Sequence, residues 1–300
     1  MTLRVTTAMT ARHTIRDLNN GMSTLSALQR KMSSGMEITR PSDDPYGTSK
    51  ALALRGEVAG LQQYQRNVAD GTAWLNASDA ALGKINDATQ RIRELLVQGA
   101  TDSAGPAARE AAATEIDQLI ETVKQEANIQ YAGRYIFAGT ATETRPYDTA
   151  TDVYAGNADG IEREIGPGVM LDINVDVSGV LGSGQGAADN LLLHTLRDIA
   201  DDLRSGDGNR LRGTDLQRLD ASLDALNAVR ADVGARTNRL TIADGRLSAL
   251  EQNSIELLSN VQDADTVKTL IDYTTQQSAY NMALKAGANV VQSSLMDFLR

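Results

Sequence analysis

The chain has 300 residues, a net charge of −10 and a pI of about 4.8; 41 % of its residues are hydrophobic but only 4 % are aromatic. No basic stripe is present to neutralise phosphates, which argues against nucleic-acid binding, and the absence of cysteine excludes disulfides, thiol catalysis and Cys-ligated metals. No apolar run approaches the length of a membrane span, and the N-terminus has no apolar segment of the kind that signal peptides carry, so we expect neither.

The first predicted element is an amphipathic helix over residues 10–36. Its apolar residues recur at spacings that place them on one face. Those residues are Leu18, Met22, Leu25 and Met32. The helix should end near Gly35, because glycine commonly terminates helices.

A segment rich in Pro, Asp and Gly separates this helix from the next. Asp43 or Asp44 is predicted to cap the second helix, with Pro45 at its first position, where proline loses no hydrogen bond. The second helix should cover residues 45–100. A third helix is predicted over residues 106–131.

Residues 141–186 are predicted to form a small β-rich domain between the helical halves. Residues 168–177 alternate apolar and acidic side chains, as in a half-buried strand. The inward-facing side chains should be Leu171, Ile173, Val175 and Val177. Other β-prone runs are 135–137, 153–154 and 161–165.

Helix returns at residues 187–204, and after a turn at 205–209 a long helix is predicted over 213–261. In the long helix every seventh residue belongs to one series: Leu219, Leu226, Val233, Leu240, Leu247, Ser254 and Val261. A seven-residue repeat buries one narrow seam against another helix. The chain has no proline after Pro167, which permits such long helices.

The last predicted helix covers residues 265–299. Its apolar positions are Val267, Leu270, Leu284, Val291, Leu295 and Phe298. Each end of the chain is thus a single amphipathic helix that must bury an apolar face. The two helices can pack on each other or against neighbouring subunits. We favour the second alternative, because two lone helices make a poor core.

These elements predict a mainly α fold with a small β insert. The N- and C-terminal halves should form an elongated antiparallel, coiled-coil-like helical rod. The predicted domains are terminal assembly helices (1–44 and 262–300), a helical rod (45–140 and 187–261) and a β-rich outer domain (141–186).

No set of residues in the sequence predicts catalysis. His13 and His194 are the only histidines, and neither is expected to bind a metal. The glycines at 182–186 lack the spacing of a dinucleotide loop, and the turn at 207–209 lacks the key positions of a calcium loop. We therefore predict no enzyme activity, no catalytic or metal-binding residues and no cofactor.

Several segments resemble the flagellin superfamily, over about residues 1–147 and 190–300. The residues that carry the resemblance are Ser34, Gly35, Pro41, Asp43, Asp44, Pro45, Gly133, Phe137, Gly139 and Asn238. The Pro-Ser-Asp-Asp-Pro form of residues 41–45 resembles the hook–filament junction branch rather than filament flagellin.

The resemblance implies a structural junction protein of the bacterial flagellum, extracellular and exported through the flagellar (type III) apparatus without a cleavable signal peptide. Implied partners are further copies of the chain in a ring or helical layer, the first hook-associated protein, flagellin and a flagellar export chaperone; no nucleic acid or membrane is implied.

The resemblance also gives the terminal apolar faces a role as subunit contacts. The residues expected there are Leu18, Met22, Leu25, Met32, Val267, Leu270, Leu284, Val291, Leu295 and Phe298. The alternative is a filament flagellin or flagellin-like surface protein, which would polymerise alone. A third class is an enzyme or glycan-binding module in the β insert.

Overall fold

The structure is a computed structural model that describes residues 7–101, 104–148, 151–184 and 189–298, with side chains described for residue 9 and from residue 12 to residue 288. Its helices are α1 (Thr7–Ser34), α2 (Pro45–Gly99), α3 (Pro106–Ala127), α4 (Ser178–Leu181), α5 (Leu192–Ser205), α6 (Gly208–Arg210), α7 (Leu216–Gln262) and α8 (Thr266–Phe298). Its strands are β1 (Gln130–Tyr131), β2 (Arg134–Tyr135), β3 (Glu162–Gly166) and β4 (Val169–Asp172). The predicted fold class, mainly helical with a small β insert, is confirmed.

The described residues form two compact units. We call residues up to 60 and from 250 the terminal unit, and residues 61–249 the central unit. α2 and α7 contribute residues to both. These limits differ from the predicted domain limits at 44 and 262, and the predicted domain division stays a prediction.

The predicted heptad series of α7 forms the core of the central unit. Leu219, Leu226, Val233, Leu240 and Leu247 are buried, none of them more than 1 % exposed. The facing helix, α2, carries its own heptad series: Leu61, Val68, Leu75, Leu82, Thr89 and Leu96, all buried. Thr89 fits this apolar seam because its hydroxyl donates to the carbonyl of Ile85 at 2.7 Å.

The two series meet in antiparallel orientation. Arg93 donates to Asp220 at 2.7 Å, and Arg230 donates to Asp79 at 3.1 Å. Residue numbers thus rise along α2 as they fall along α7, as predicted for helices from opposite halves of the chain. α3 and α5 pack on each other and complete this core with α2 and α7.

The β insert packs on the helices of the central unit. The side chain of Ile173 lies against Gly71 of α2, where a Cβ would approach it to 2.8 Å. The guanidinium of Arg236 on α7 donates to the carbonyls of Asp172 and Asn174. Ile165, Leu171, Val175 and Val177 belong to the same buried cluster as the heptad residues. The described β segment therefore shares one core with the helices.

The predicted strand over 168–177 is only partly correct. Strand pairing of β4 with antiparallel β3 ends at Asp172. Beyond Asp172, the side chain of Asn174 takes the place of a backbone partner. It accepts a hydrogen bond from the amide of Ile161 at 2.7 Å and donates one to the carbonyl of Asp159 at 2.9 Å. The predicted inward-facing residues Leu171, Ile173, Val175 and Val177 are all buried.

The β-prone run 135–137 forms a shorter strand in the structure than predicted. β2 ends at Tyr135, and residues 136–137 lie in a turn, with both side chains buried. β1 and β2 pair around Ala132 and Gly133, which both have positive φ, as a two-residue hairpin requires. Tyr154 forms an isolated bridge with Tyr147 rather than a strand.

The heptad seam should dominate the stability of the central unit. We expect Leu226→Ala to lower the free energy of unfolding by about 2–5 kcal/mol, because it removes buried methyl groups and leaves a cavity. Ile242 on the same helix is 73 % exposed, so Ile242→Ala should change it by less than about 0.5 kcal/mol. Denaturant unfolding of both variants measures the change in the free energy of unfolding. Equal changes would contradict the assignment of Leu226 to the buried heptad series.

Candidate assembly surface

The terminal helices α1 and α8 pack on each other in antiparallel orientation. Gly21 of α1 lies against the ring of Tyr280, and a Cβ there would come within 3.2 Å of it. Gly287 of α8 lies against Thr14 and Leu18 of α1. The first predicted alternative, packing of the terminal helices on each other, is therefore present within one chain.

This packing buries little apolar surface. Among the side chains that the structure describes, the buried hydrophobic residues of the terminal unit are Ala51 and Leu54, and all others lie in the central unit. Of 18 exposed large hydrophobic side chains in the same description, 14 lie in the terminal unit. The terminal unit thus carries many large apolar side chains, and most of those described are exposed rather than buried.

The predicted contact residues divide into two groups. Leu18 and Leu25 are half-buried. The exposed group consists of Met22, Met32, Val267, Leu270 and Leu284, with exposures from 41 % to 67 %. The side chains of Val291, Leu295 and Phe298 lie outside the described residues.

The charge distribution of α8 also indicates contacts with other protein surfaces. Residues 273–284 and 286–296 contain no charged residue. A helix with one face in solvent normally carries charged residues on that face, whereas one without them is usually surrounded by protein. The sequence of α8 therefore indicates a helix with contacts on several sides.

The two segments that end the terminal helices are joined by backbone hydrogen bonds. The amide of Glu37 donates to the carbonyl of Gln262 at 2.7 Å, and that of Ala264 to Gly35 at 2.9 Å. Gly35 has φ of +69°, a left-handed conformation that favours glycine. These hydrogen bonds hold the end of α1 beside the connection between α7 and α8.

The two aspartates of the motif at residues 41–45 have different roles. Asp44 caps α2, since its carboxylate accepts from the amide of Tyr46 at 3.1 Å, and Pro45 is the first helical residue. Asp43 instead accepts from the hydroxyl of Thr39 and the amide of Arg40, both at 2.9 Å. The hydrogen bond from Thr39 holds the pKa of Asp43 below its ordinary value.

The remaining motif residues have structural positions. Ser34 accepts from the amide of Met36 at 3.2 Å. Phe137 is fully buried, and Gly139 has φ of +64° with the carbonyl of Asn157 where a Cβ would lie. Pro41 and Asn238 are exposed, in the segment before α2 and on α7 respectively.

Sequence reasoning missed two buried charged clusters of the central unit. Lys124 and Asp152, each with a 1 % exposed side chain, form an ion pair at 2.9 Å, and Arg197 also binds Asp152. Burial alone would raise the pKa of Asp152, but the hydrogen bonds from Arg197 and Lys124 outweigh it and lower the pKa. In the second, Asp202 is 7 % exposed and its Oδ2 lies 3.0 Å from Nε of Arg210. Neither pair could be found from spacing, because its members lie on different elements.

His194 has a neighbour that the sequence analysis overlooked. Its Nδ1 lies 3.6 Å from the carboxylate of Asp198, one helical turn away on α5. No group of three or more His, Cys, Asp or Glu side chains in the described ranges is arranged to hold a metal ion. Within those ranges, no helix is both long and apolar enough to cross a membrane.

Comparison with known proteins finds flagellar proteins that are similar to this chain. Residues 5–142 match the sequence model of the bacterial flagellin N-terminal helical region. Flagellin of Bacillus subtilis (strain 168) is 26 % identical over 313 residues, covering 99 % of this chain and 100 % of that protein. Flagellar hook-associated protein 3 of Escherichia coli (strain K12) is 26 % identical over 312 residues, covering 98 % of each.

A solved structure shows the same fold. The flagellar hook-associated protein 3 of Legionella pneumophila superposes with a TM-score of 0.62 at 14 % identity, covering 70 % of this chain and 98 % of that one. Sequence identity to a filament flagellin and to a hook-associated protein is the same, so identity does not separate the two kinds of subunit.

The contacts of Asp43 predict how the segment before α2 is ordered. We expect Asp43→Ala to speed hydrogen exchange of the Arg40 amide, while Asp43→Asn, which keeps an acceptor oxygen, has a smaller effect. Because the pKa of Asp43 is lowered in the fold, the protection it gives is present above the unfolded pKa and is lost as pH falls through the folded one. Asp17→Ala, on exposed α1, serves as control. Unchanged exchange in Asp43→Ala would contradict this role.

Proposed function

We propose that this chain is a member of the flagellin superfamily and, within it, a hook-associated protein 3, a junction subunit that connects the hook of the bacterial flagellum to its flagellin filament. In this role it is a structural subunit and not an enzyme. The terminal unit supplies the contacts between subunits.

The observation that carries the proposal is the exposed apolar surface of the terminal unit. Met22 and Leu284 are each exposed by more than 40 %, as are most of the large aliphatic residues of α1 and α8 whose side chains the structure describes. Burying one such side chain fully contributes on the order of 1.5–3 kcal/mol. Large apolar side chains exposed in such number are typical of protein–protein interfaces. In the assembly, therefore, neighbouring subunits would complete a core that one chain leaves open.

One observation favours a junction subunit over a filament subunit. The Pro-Ser-Asp-Asp-Pro form of residues 41–45 resembles the junction branch, and the structure gives each aspartate a separate bonding role. The alignment with a hook-associated protein 3 over nearly the full length of both chains is compatible with the junction role but does not favour it. The second candidate is a filament flagellin, because flagellin of Bacillus subtilis matches equally well over its whole length.

The proposed partners follow from the junction role. Further copies of the chain would form a ring or helical layer, the first hook-associated protein would bind on the hook side, and flagellin on the other. Before assembly an export chaperone would cover the C-terminal apolar face. The protein would function outside the cell, reached through the flagellar export apparatus.

Substitutions on the exposed apolar face test the proposal. Leu284→Asp and Leu270→Asp should each prevent incorporation, because assembly would bury a carboxylate without a partner. Leu295→Asp, in the same helix, is expected to do the same. Electron microscopy of each variant mixed with hook fragments and flagellin gives the readout, and circular dichroism checks that the central unit stays folded.

The matched control is Met170→Asp in the β insert, a side chain that is 49 % exposed in the central unit. It introduces the same charge at a site proposed to face outward, so it should assemble normally. Normal junctions formed by Leu284→Asp would contradict the proposal. Long filaments formed by the wild-type protein alone would establish the filament flagellin instead.

A further inference from the structure

Three segments of the terminal unit meet at Gln262, the last residue of α7. Its side-chain oxygen Oε1 accepts hydrogen bonds from two nitrogens of the Arg55 guanidinium on α2, with Nε at 3.0 Å. Its backbone carbonyl accepts from the amide of Glu37, in the segment that follows α1, at 2.7 Å. One residue, only 6 % exposed, thus joins the end of α7 both to α2 and to the segment after α1.

The base of each terminal helix lies within a few residues of this contact. The segment after α1 forms an antiparallel bridge between Met36 and Asp263. α8 follows at once, and Asp265 caps it by accepting from the amide of Lys268 at 3.0 Å. The chain around Gln262 therefore holds the bases of α1 and α8 together.

Packing beside this contact is loose. An open cavity of about 340 Å³ lies between α2 and the segment after α1, and Arg55 and Gln262 form part of its wall. Leu52, one turn before Arg55 on α2, also lines the cavity and is 68 % exposed. Because close packing is absent on this side, the hydrogen bonds between Arg55 and Gln262 have to hold the two parts in place.

The length of the terminal helices amplifies any change at their base. α1 has 28 residues and α8 has 33, which correspond to about 42 and 50 Å at a rise of about 1.5 Å per residue. A rotation of about 10° at the base of α1 would move its far end by about 7 Å, which exceeds the reach of a side-chain contact, about 4.5 Å. Contacts made along these helices therefore depend on a fixed direction at the base.

We propose that Gln262 is a positioning residue of the assembly surface. By binding Arg55, it fixes the direction of α1 and α8 relative to the parts of α2 and α7 in the terminal unit, so that the exposed apolar side chains meet a neighbouring copy of the chain. The inference rests on the proposed function, because that function assigns those side chains to subunit contacts. It adds a residue that acts on the interface while its own side chain is buried within one chain.

The chemistry of the pair predicts how substitutions act. Gln262→Ala removes the acceptor, whereas Gln262→Glu keeps one and places a negative charge beside the guanidinium, which strengthens such a bond. Arg55→Ala removes the donors and leaves the end of α7 unchanged. Arg55→Lys keeps the charge but lacks the fork of donors, so it should replace the pair only in part.

Spin-label distances in the full-length protein test the positioning itself. The chain has no cysteine, so Ser23→Cys on α1 and Lys50→Cys on α2, both at exposed positions, can carry the labels. We expect Gln262→Ala to broaden the distance distribution by about 3 Å, since a rotation of about 10° acts over about 17 Å of α1 between Ser23 and the helix end. Gln262→Glu should restore the narrow distribution. Gln252→Ala, at an exposed position of the same helix, is the matched control and should not change it.

Incorporation at hook tips, counted by electron microscopy, tests the consequence for assembly. We expect incorporation to fall about tenfold in Gln262→Ala and in Arg55→Ala, the effect of losing one hydrogen bond to a charged group. The double variant should fall no further, because both substitutions remove the same interaction. Gln262→Glu should incorporate normally, and denaturant unfolding of the central unit should be the same in all variants.

The outcomes separate this inference from the proposed function. Normal incorporation of both alanine variants, an unchanged distance distribution, or a failure of Gln262→Glu to restore either property would overturn the positioning role and leave the junction role intact. Failure of the wild-type protein to incorporate would overturn the proposed function, and with it the assembly role of Gln262. The distance distribution would then still show whether Gln262 sets the direction of α1.

Discussion

Burial of two antiparallel heptad series, one on α2 and one on α7, is the interaction on which the central unit depends. The side chains of these series are almost completely removed from water, and Arg93–Asp220 and Arg230–Asp79 pairs flank them. α3 and α5 pack on this pair, and the β insert is held against it by Ile173 and by the carbonyl contacts of Arg236. A helix pair formed from distant parts of the chain thus positions every other element of the central unit.

The terminal unit, in contrast, leaves most of its described large apolar side chains exposed within one chain. α1 and α8 carry enough apolar residues for a core, but those whose side chains the structure describes are mostly left uncovered within one chain, because two helices have too few faces to cover each other. Glycines at positions 21 and 287 let the pair approach closely, and the bonds between residues 35–37 and 262–264 fix its connections. In the proposed function, the free energy of covering the remaining surface becomes available only on assembly, which suits a subunit that must stay separate until it reaches its place.

The sequence predicted the parts of this structure that repeat. Heptad spacing identified the buried residues of α7, and Gly35 and Pro45 marked helix limits that the structure confirms. It could not choose between Asp43 and Asp44 as the cap, because two adjacent carboxylates satisfy the same rule. The side chain of Asn174 ended strand pairing earlier than the alternation indicated, since a side-chain amide can replace backbone partners without changing the apolar pattern. The ion pair between Lys124 and Asp152 depends on how the chain folds back on α3, which no local pattern reports.

Hydrogen exchange of the terminal helices, measured in the isolated protein and again after incorporation at hook tips, shows whether their apolar surface is covered only on assembly. We expect rapid exchange across α1 and α8 in the isolated chain, slow exchange in the heptad parts of α2 and α7, and strong protection of α1 and α8 only after assembly. Equal protection of the terminal and heptad helices in the isolated chain, unchanged by assembly, would contradict it, because the terminal unit would then already be complete in a single chain.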